Sequence, residues 1–258
     1  MDGPAGTCCA KGPREIARMG KVATILATAT ALATGASGQG VSTQKLSFES
    51  GGKRIAVEMF HPGEPKRAPA LLVVHGAGGM DHGNSYVRQL ATAFAGNGYV
   101  TLLVHYFDRT GTTWAGDSTI HTHFEKWLET LGDAITFTCA QPGIDADRVA
   151  IIGYSLGGYL AIAQAARDRR VAAVVELAGG IDPTYAKTVK RMPPTLIVHG
   201  KADQRVEFER ALELERLLKR LGTPVATRYY PKEGHILSPV AALDALGTGL
   251  EFLREHLR

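Results

Sequence analysis

The sequence predicts an α/β domain, a mostly parallel sheet with helices packed on both faces. Three observations lead there. A chain of 258 residues with 45% hydrophobic content is long enough to bury one large core. Short, unbroken apolar runs recur along it, and such runs suit strands buried on both faces. Stretches with helical spacing lie between those runs, so the chain reads as repeated βαβ units, with no internal repeat.

The elements follow in order from about residue 41. Lys45 to Phe48 and Arg54 to Phe60 read as an antiparallel pair, the second alternating Ile55, Val57 and Met59 against Ala56, Glu58 and Phe60. Gly51-Gly52 supplies the turn. After a Pro-rich bend come the buried runs Ala70 to Val74, Val100 to Val104, Val149 to Ile152, Val171 to Leu177 and Thr195 to Val198, then a weaker one at Thr227 to Tyr230. In Val206 to Leu221, Ala211, Leu214, Leu218 and Leu221 keep three- and four-residue spacing, and Gly222 stands where a left-handed cap is wanted. The last helix opens at Ser238-Pro239 and carries Leu243, Leu246, Leu250, Leu253 and Leu257. Between Leu177 and Met192 there is no room for a large cap domain.

Residues 1–40 differ in character from the domain expected over 41–258. Arg14, Arg18 and Lys21 precede a charge-free stretch from Val22 to Gly38 that ends in Ala36-Ser37-Gly38, the order of a secretory signal. Residues 1–38 are therefore expected to direct export to the periplasm or the medium; the alternative is a cytoplasmic chain with an N-terminal tail. The stretch is too short and too rich in Ala and Thr for a membrane span. Without it only Cys139 remains of the three cysteines, so no internal disulfide can form. A net charge of +4, without a run of bases interleaved with aromatics, argues against a nucleic-acid partner.

The chemistry is concentrated in Gly153-Tyr154-Ser155-Leu156-Gly157-Gly158, which follows one apolar strand and opens a helix. That is the context of the G-x-S-x-G nucleophile elbow. Its glycines make space for a serine held in a tight turn, and the N–H of Leu156 faces the place where negative charge would develop on a substrate oxygen. A dinucleotide loop would need glycine where Ser155 stands. A serine needs a base, and the base needs a third group to orient it. Asp203 lies just past the strand Thr195 to Val198, and His235 follows Thr227 to Tyr230, both at C-terminal strand ends. The order Ser, Asp, His is that of α/β hydrolases. Asp182 and Glu207 are the fallback acids. The loop His75-Gly76-Ala77-Gly78-Gly79 follows the first buried strand, and the N–H of Ala77 is the expected second oxyanion donor, with Gly78 as its competitor. His75 is expected to be structural.

These segments make the sequence resemble the dienelactone hydrolase family of α/β hydrolases over Lys45 to Arg258. The residues that carry the resemblance are His75-Gly76, the elbow around Ser155, His199-Gly200-x-x-Asp203 and Gly234-His235. It implies an eight-stranded, mostly parallel sheet and hydrolysis through an acyl-enzyme without a cofactor. The family's nucleophile is cysteine, with an activating glutamate in the oxyanion loop; the matching positions here are Ser155 and Gly76. Of the family's substrate-carboxylate arginines, Arg109 falls near one. Tyr106 to Phe124 is the longest candidate lid, and Phe107 and Trp114 within it are the expected pocket aromatics. His121 and His123 lack placed carboxylate or cysteine partners, so no metal is expected. The function expected is cleavage of a small-molecule carboxylic ester or related acyl bond. A serine peptidase of the prolyl-oligopeptidase type is the alternative, and a non-catalytic binding protein of the same fold is a third.

Overall fold

A computed structural model describes residues 40–80 and 85–258. The proposed export segment lies outside them. Eight strands form one sheet: β1 (Val41–Ser50), β2 (Lys53–Pro62), β3 (Ala68–Val74), β4 (Val100–Val104), β5 (Ile144–Tyr154), β6 (Val171–Leu177), β7 (Thr195–Gly200) and β8 (Val225–Tyr230). Their spatial order is β1-β2-β4-β3-β5-β6-β7-β8. The β1–β2 and β2–β4 pairs are antiparallel and every later pair is parallel. This is the eight-stranded, mostly parallel sheet expected.

Alternation along each strand divides the core between the two faces. Leu72, Val74, Ile151 and Ile197 pack against α2 (Asp117–Cys139), α3 (Leu156–Arg167) and α5 (Phe208–Arg220). On the other face Leu71, Ile152, Val175 and Val198 meet α6 (Pro239–His256), while Val73 and Leu103 meet α1 (Ser85–Ala95). A single short helix, α4 (Pro183–Ala186), occupies the segment after β6, and no cap domain is inserted there. Helix α5 ends at Gly222, whose φ of +66° is the left-handed cap read from the sequence. At the start of α6 the Ser238 side chain accepts the Ala241 N–H. Among the described residues no helix is long and apolar enough to cross a membrane.

One expectation about local structure fails. The span Tyr106 to Phe124 is not one long loop: Tyr106–Arg109 forms a 3₁₀ turn, and α2 already begins at Asp117, leaving only residues 110–116 irregular. Threonine-rich sequence hides this helix, because threonine is a poor helix former. Here the hydroxyls of Thr122, Thr130, Thr136 and Thr138 each bond the carbonyl four residues back, and Trp127, Leu128, Leu131 and Ile135 bury the inner face.

Candidate active site

The site sits at the C-terminal edge of the parallel strands, where β5 turns into α3. Ser155 occupies that turn with φ 55° and ψ −120°, a conformation that L-residues rarely adopt. Packing imposes it. A Cβ on Gly153 would lie 2.1 Å from the Gly157 carbonyl oxygen, and one on Gly157 would lie 2.2 Å from that of Val74. The Ser155 N–H donates to the Leu177 carbonyl at 2.8 Å, tying the turn to β6. The serine hydroxyl is thereby held above the sheet edge.

His235 bridges the other two residues read from the sequence. Its Nε2 is 3.0 Å from Ser155 Oγ, and its Nδ1 is 2.8 Å from Asp203 Oδ2. Three side chains separated by up to 80 positions thus form one hydrogen-bonded line. Asp203 is buried, and its other oxygen accepts the N–H groups of Arg205 and Val206 at 2.8 and 3.0 Å. Burial by itself would raise its pKa, but the hydrogen bonds from His199 and His235 outweigh burial and hold the carboxyl well below the usual carboxylate range. Asp203 is therefore an anion at any pH where a histidine can act as a base.

The loops carrying Asp203 and His235 are seated on each other. Ala202 N–H donates to the Glu233 carbonyl and Lys201 N–H to that of Tyr230. A Cβ on Gly200 would stand 2.3 Å from the Glu233 oxygen. Tyr154, at the end of the strand that leads into Ser155, adds a contact the sequence reading missed: its hydroxyl donates to the His235 carbonyl at 3.1 Å. The fallback acids stand at the starts of two other helices. Asp182 caps α4 through the Thr184 N–H, and Glu207 stands at the start of α5.

The loop His75 to Gly79 lies against the serine. An ideal Cβ on Gly76 falls 3.2 Å from the Tyr154 ring and 3.3 Å from Ser155 Cβ, so a glutamate side chain here would press on Ser155. That gives a physical reason for glycine at this position. The carbonyl of Ala77 accepts the Ala115 N–H at 2.9 Å, while among the described residues no carbonyl takes up the N–H of Ala77 or of Leu156. His75 is wholly buried beneath the loop; burial pushes its imidazole down to about 3, and Nδ1 contacts the Gly76 carbonyl. It is a neutral packing residue, stacked on Tyr106.

The expected substrate contacts part company. Phe107 is buried in the core against His75, Tyr106 and Trp127, because the 3₁₀ turn after β4 directs it under the loop that begins at His75. Arg109 faces the β1–β2 turn, giving hydrogen bonds to the Gly51 carbonyl and Glu129, and is not presented to Ser155. Both expectations are corrected. Trp114 differs: it is 55% exposed on the 110–116 strap, which Ala115 fastens to Ala77.

This strand order, with the serine turn after β5, defines the class as the α/β hydrolases. Within that class the chain belongs to the dienelactone hydrolase family, whose model matches residues 55–238. Among curated relatives, it is 31% identical over 117 residues to the polyketide transferase ATR5 of Stachybotrys chlorohalonatus, covering 45% of this chain but only 38% of that one. It is 24% identical to the uncharacterized peptidase YtmA of Bacillus subtilis across 78% of this chain and 89% of the relative. A dienelactone hydrolase-like promiscuous phosphotriesterase from metagenomic libraries superposes with a TM-score of 0.73 at 20% identity, covering 85% of this chain and all of the other. That likeness speaks to the fold alone.

Proposed function

We propose that this protein is a serine hydrolase that cleaves a small-molecule carboxylic ester or related acyl bond through an acyl-enzyme on Ser155. The observation that carries the reading is the position of the His235 ring, within hydrogen-bond reach of both Ser155 Oγ and Asp203 Oδ2. In this reading Oγ attacks the acyl carbon as its proton passes to Nε2 of His235. The N–H groups of Leu156 and Ala77 hold the negative oxygen of the tetrahedral adduct. His235 returns the proton to the departing alcohol, and water, deprotonated by the same ring, then releases the acid and regenerates the hydroxyl. Asp203 fixes the tautomer and balances the charge on the imidazolium. No cofactor is needed for these steps.

Incubation with a fluorophosphonate probe, followed by mapping of the label, tests the nucleophile; the label is expected on Ser155 and absent from Ser155→Ala. Labelling at another residue refutes the assignment. The name of the Bacillus relative favours a peptidase as the second reading. A panel of p-nitrophenyl esters set against peptide anilides separates the two, and turnover of anilides in preference to esters would replace the first with the second. We also propose that residues 1–38 direct export, tested by sequencing the N-terminus of protein recovered from its host.

A further inference from the structure

His235 stands on the segment 231–238, which runs from β8 to α6 with neither helix nor strand of its own. Both ends of that segment are pinned. The Glu233 carbonyl accepts the Ala202 N–H at 2.9 Å, and the Glu233 carboxylate accepts the N–H and the hydroxyl of Ser238, each at 2.7 Å. Between those pins residue 235 is held by Tyr154, whose hydroxyl donates to the His235 carbonyl at 3.1 Å. The bond goes to the main chain and not to the ring. It fixes the point from which the imidazole swings, and leaves Nδ1 to Asp203 and Nε2 to Ser155.

Tyr154 is itself firmly placed. It is the last residue of β5, in register with Leu177 of β6. Its ring packs on Gly76, where an ideal Cβ would come within 3.2 Å of it, and Tyr86 of α1 meets it edge-on with 4.9 Å between ring centroids. The His235 ring lies 5.2 Å from it, tilted by 42°. The next residue is Ser155, so one peptide unit, about 3.8 Å from Cα to Cα, joins the anchor of His235 to the residue that His235 must reach. Burial pushes the phenol pKa up and the Asp203 charge adds to the rise, so the hydroxyl remains a donor through neutral and mildly alkaline pH. What that hydroxyl adds to a plain aromatic ring is the bond to residue 235.

We propose that Tyr154 is a positioning residue, its hydroxyl holding the backbone of His235 at the distance from Ser155 that proton transfer needs. This rests on the hydrolase reading of Ser155. Without the bond the peptide at 235 is free to drift, and the ring drifts with it, so Nε2 spends less time within reach of Ser155 Oγ. Proton transfer is sensitive to such shifts: a misplacement of about 1 Å can cost on the order of a hundredfold in rate. The bond acts on the base and not on the substrate, so its loss falls on turnover and not on binding. A tyrosine that served packing alone would show itself in Tm and leave the rate constants where they were.

The test is Tyr154→Phe, which keeps the ring and removes the oxygen. The rate constant for fluorophosphonate labelling of Ser155 and kcat for esters should both fall about tenfold, while KM stays within about twofold. A fall in labelling smaller than about threefold in folded Tyr154→Phe overturns the proposal. Tyr154→4-aminophenylalanine keeps both ring and donor, and should label within about threefold of wild type whether or not the phenylalanine variant folds; a folded form that labels more slowly also overturns it. A third measurement needs no reaction. In 15N-histidine protein the Nδ1–H of His235, bonded to Asp203, should exchange with water at least about threefold faster in Tyr154→Phe than in wild type. Should the wild type fail to label at Ser155, the hydrolase reading falls by itself, and this exchange rate judges Tyr154: unchanged exchange means that the hydroxyl does not hold His235 in place.

Discussion

The backbone at Ser155 makes a prediction that separates strain from chemistry. With φ 55° and ψ −120°, this residue carries a side chain where glycine is the comfortable choice, at a cost of about 1–3 kcal/mol. Ser155→Ala and Ser155→Gly both remove the hydroxyl and its contact with His235, so both should be inactive. Alanine keeps the Cβ and hence the strain; glycine relieves it. Glycine also loosens the unfolded chain, which takes back roughly 0.4–1 kcal/mol. Ser155→Gly should therefore be more stable than Ser155→Ala by about 1–2 kcal/mol. In a domain of this size that is a rise in Tm of roughly 2–8 °C. Differential scanning calorimetry of the two variants, with urea unfolding as a check, reads the difference. If Ser155→Ala proves as stable as Ser155→Gly, or more so, the elbow stores no backbone strain and the argument from φ is wrong.

Asp203→Asn should lower kcat by about 10⁴-fold with little change in KM, because the amide no longer holds His235 in the productive tautomer; steady-state kinetics on the best ester decides it. Gly157→Ala forces a methyl group to 2.2 Å from the Val74 carbonyl oxygen and should cost more than about 3 kcal/mol or abolish folding, read as soluble yield and urea midpoint. Glu176 carries a folded-state pKa raised to about 7, so folding takes up a proton and the wild type should lose stability as pH rises from about 4.5 to 7. Glu176→Gln should flatten that stretch of the stability–pH curve, measured by urea unfolding across the interval. Trp114→Ala, at an exposed strap position, should leave Tm within about 1 °C while raising KM for esters with bulky acyl or alcohol groups, read from the ester panel.

Much of this architecture was legible because its signals are local. The apolar runs at Val100–Val104 and Val171–Leu177 match β4 and β6 to the residue, since strands buried on both faces are apolar along nearly their whole length. The elbow and the loops bearing Asp203 and His235 were legible for a related reason: each is a short segment following a strand, and a parallel sheet brings such segments to one edge. What escaped depends on where distant segments land. Arg109 falls near one of the family's substrate-carboxylate arginines in the sequence, but nothing local shows that the Gly51-Gly52 turn folds onto it. Phe107 looked like a loop aromatic because the turn that buries it is set by packing on Trp127. Glu176 left a signal that went unread. A lone acid inside Val171–Leu177 cannot be a surface residue if the strand is central, so it needed a partner in the core.

The seating of Gly200 against the Glu233 carbonyl bears on how this scaffold can be re-engineered. With no space there for even a methyl group, the segment delivering the carboxylate and the segment delivering the imidazole behave as one moulded part. Chimaeras that transplant either segment alone from a homologue should misalign the relay, whereas exchanging residues 199–206 and 230–238 together should carry the geometry across intact.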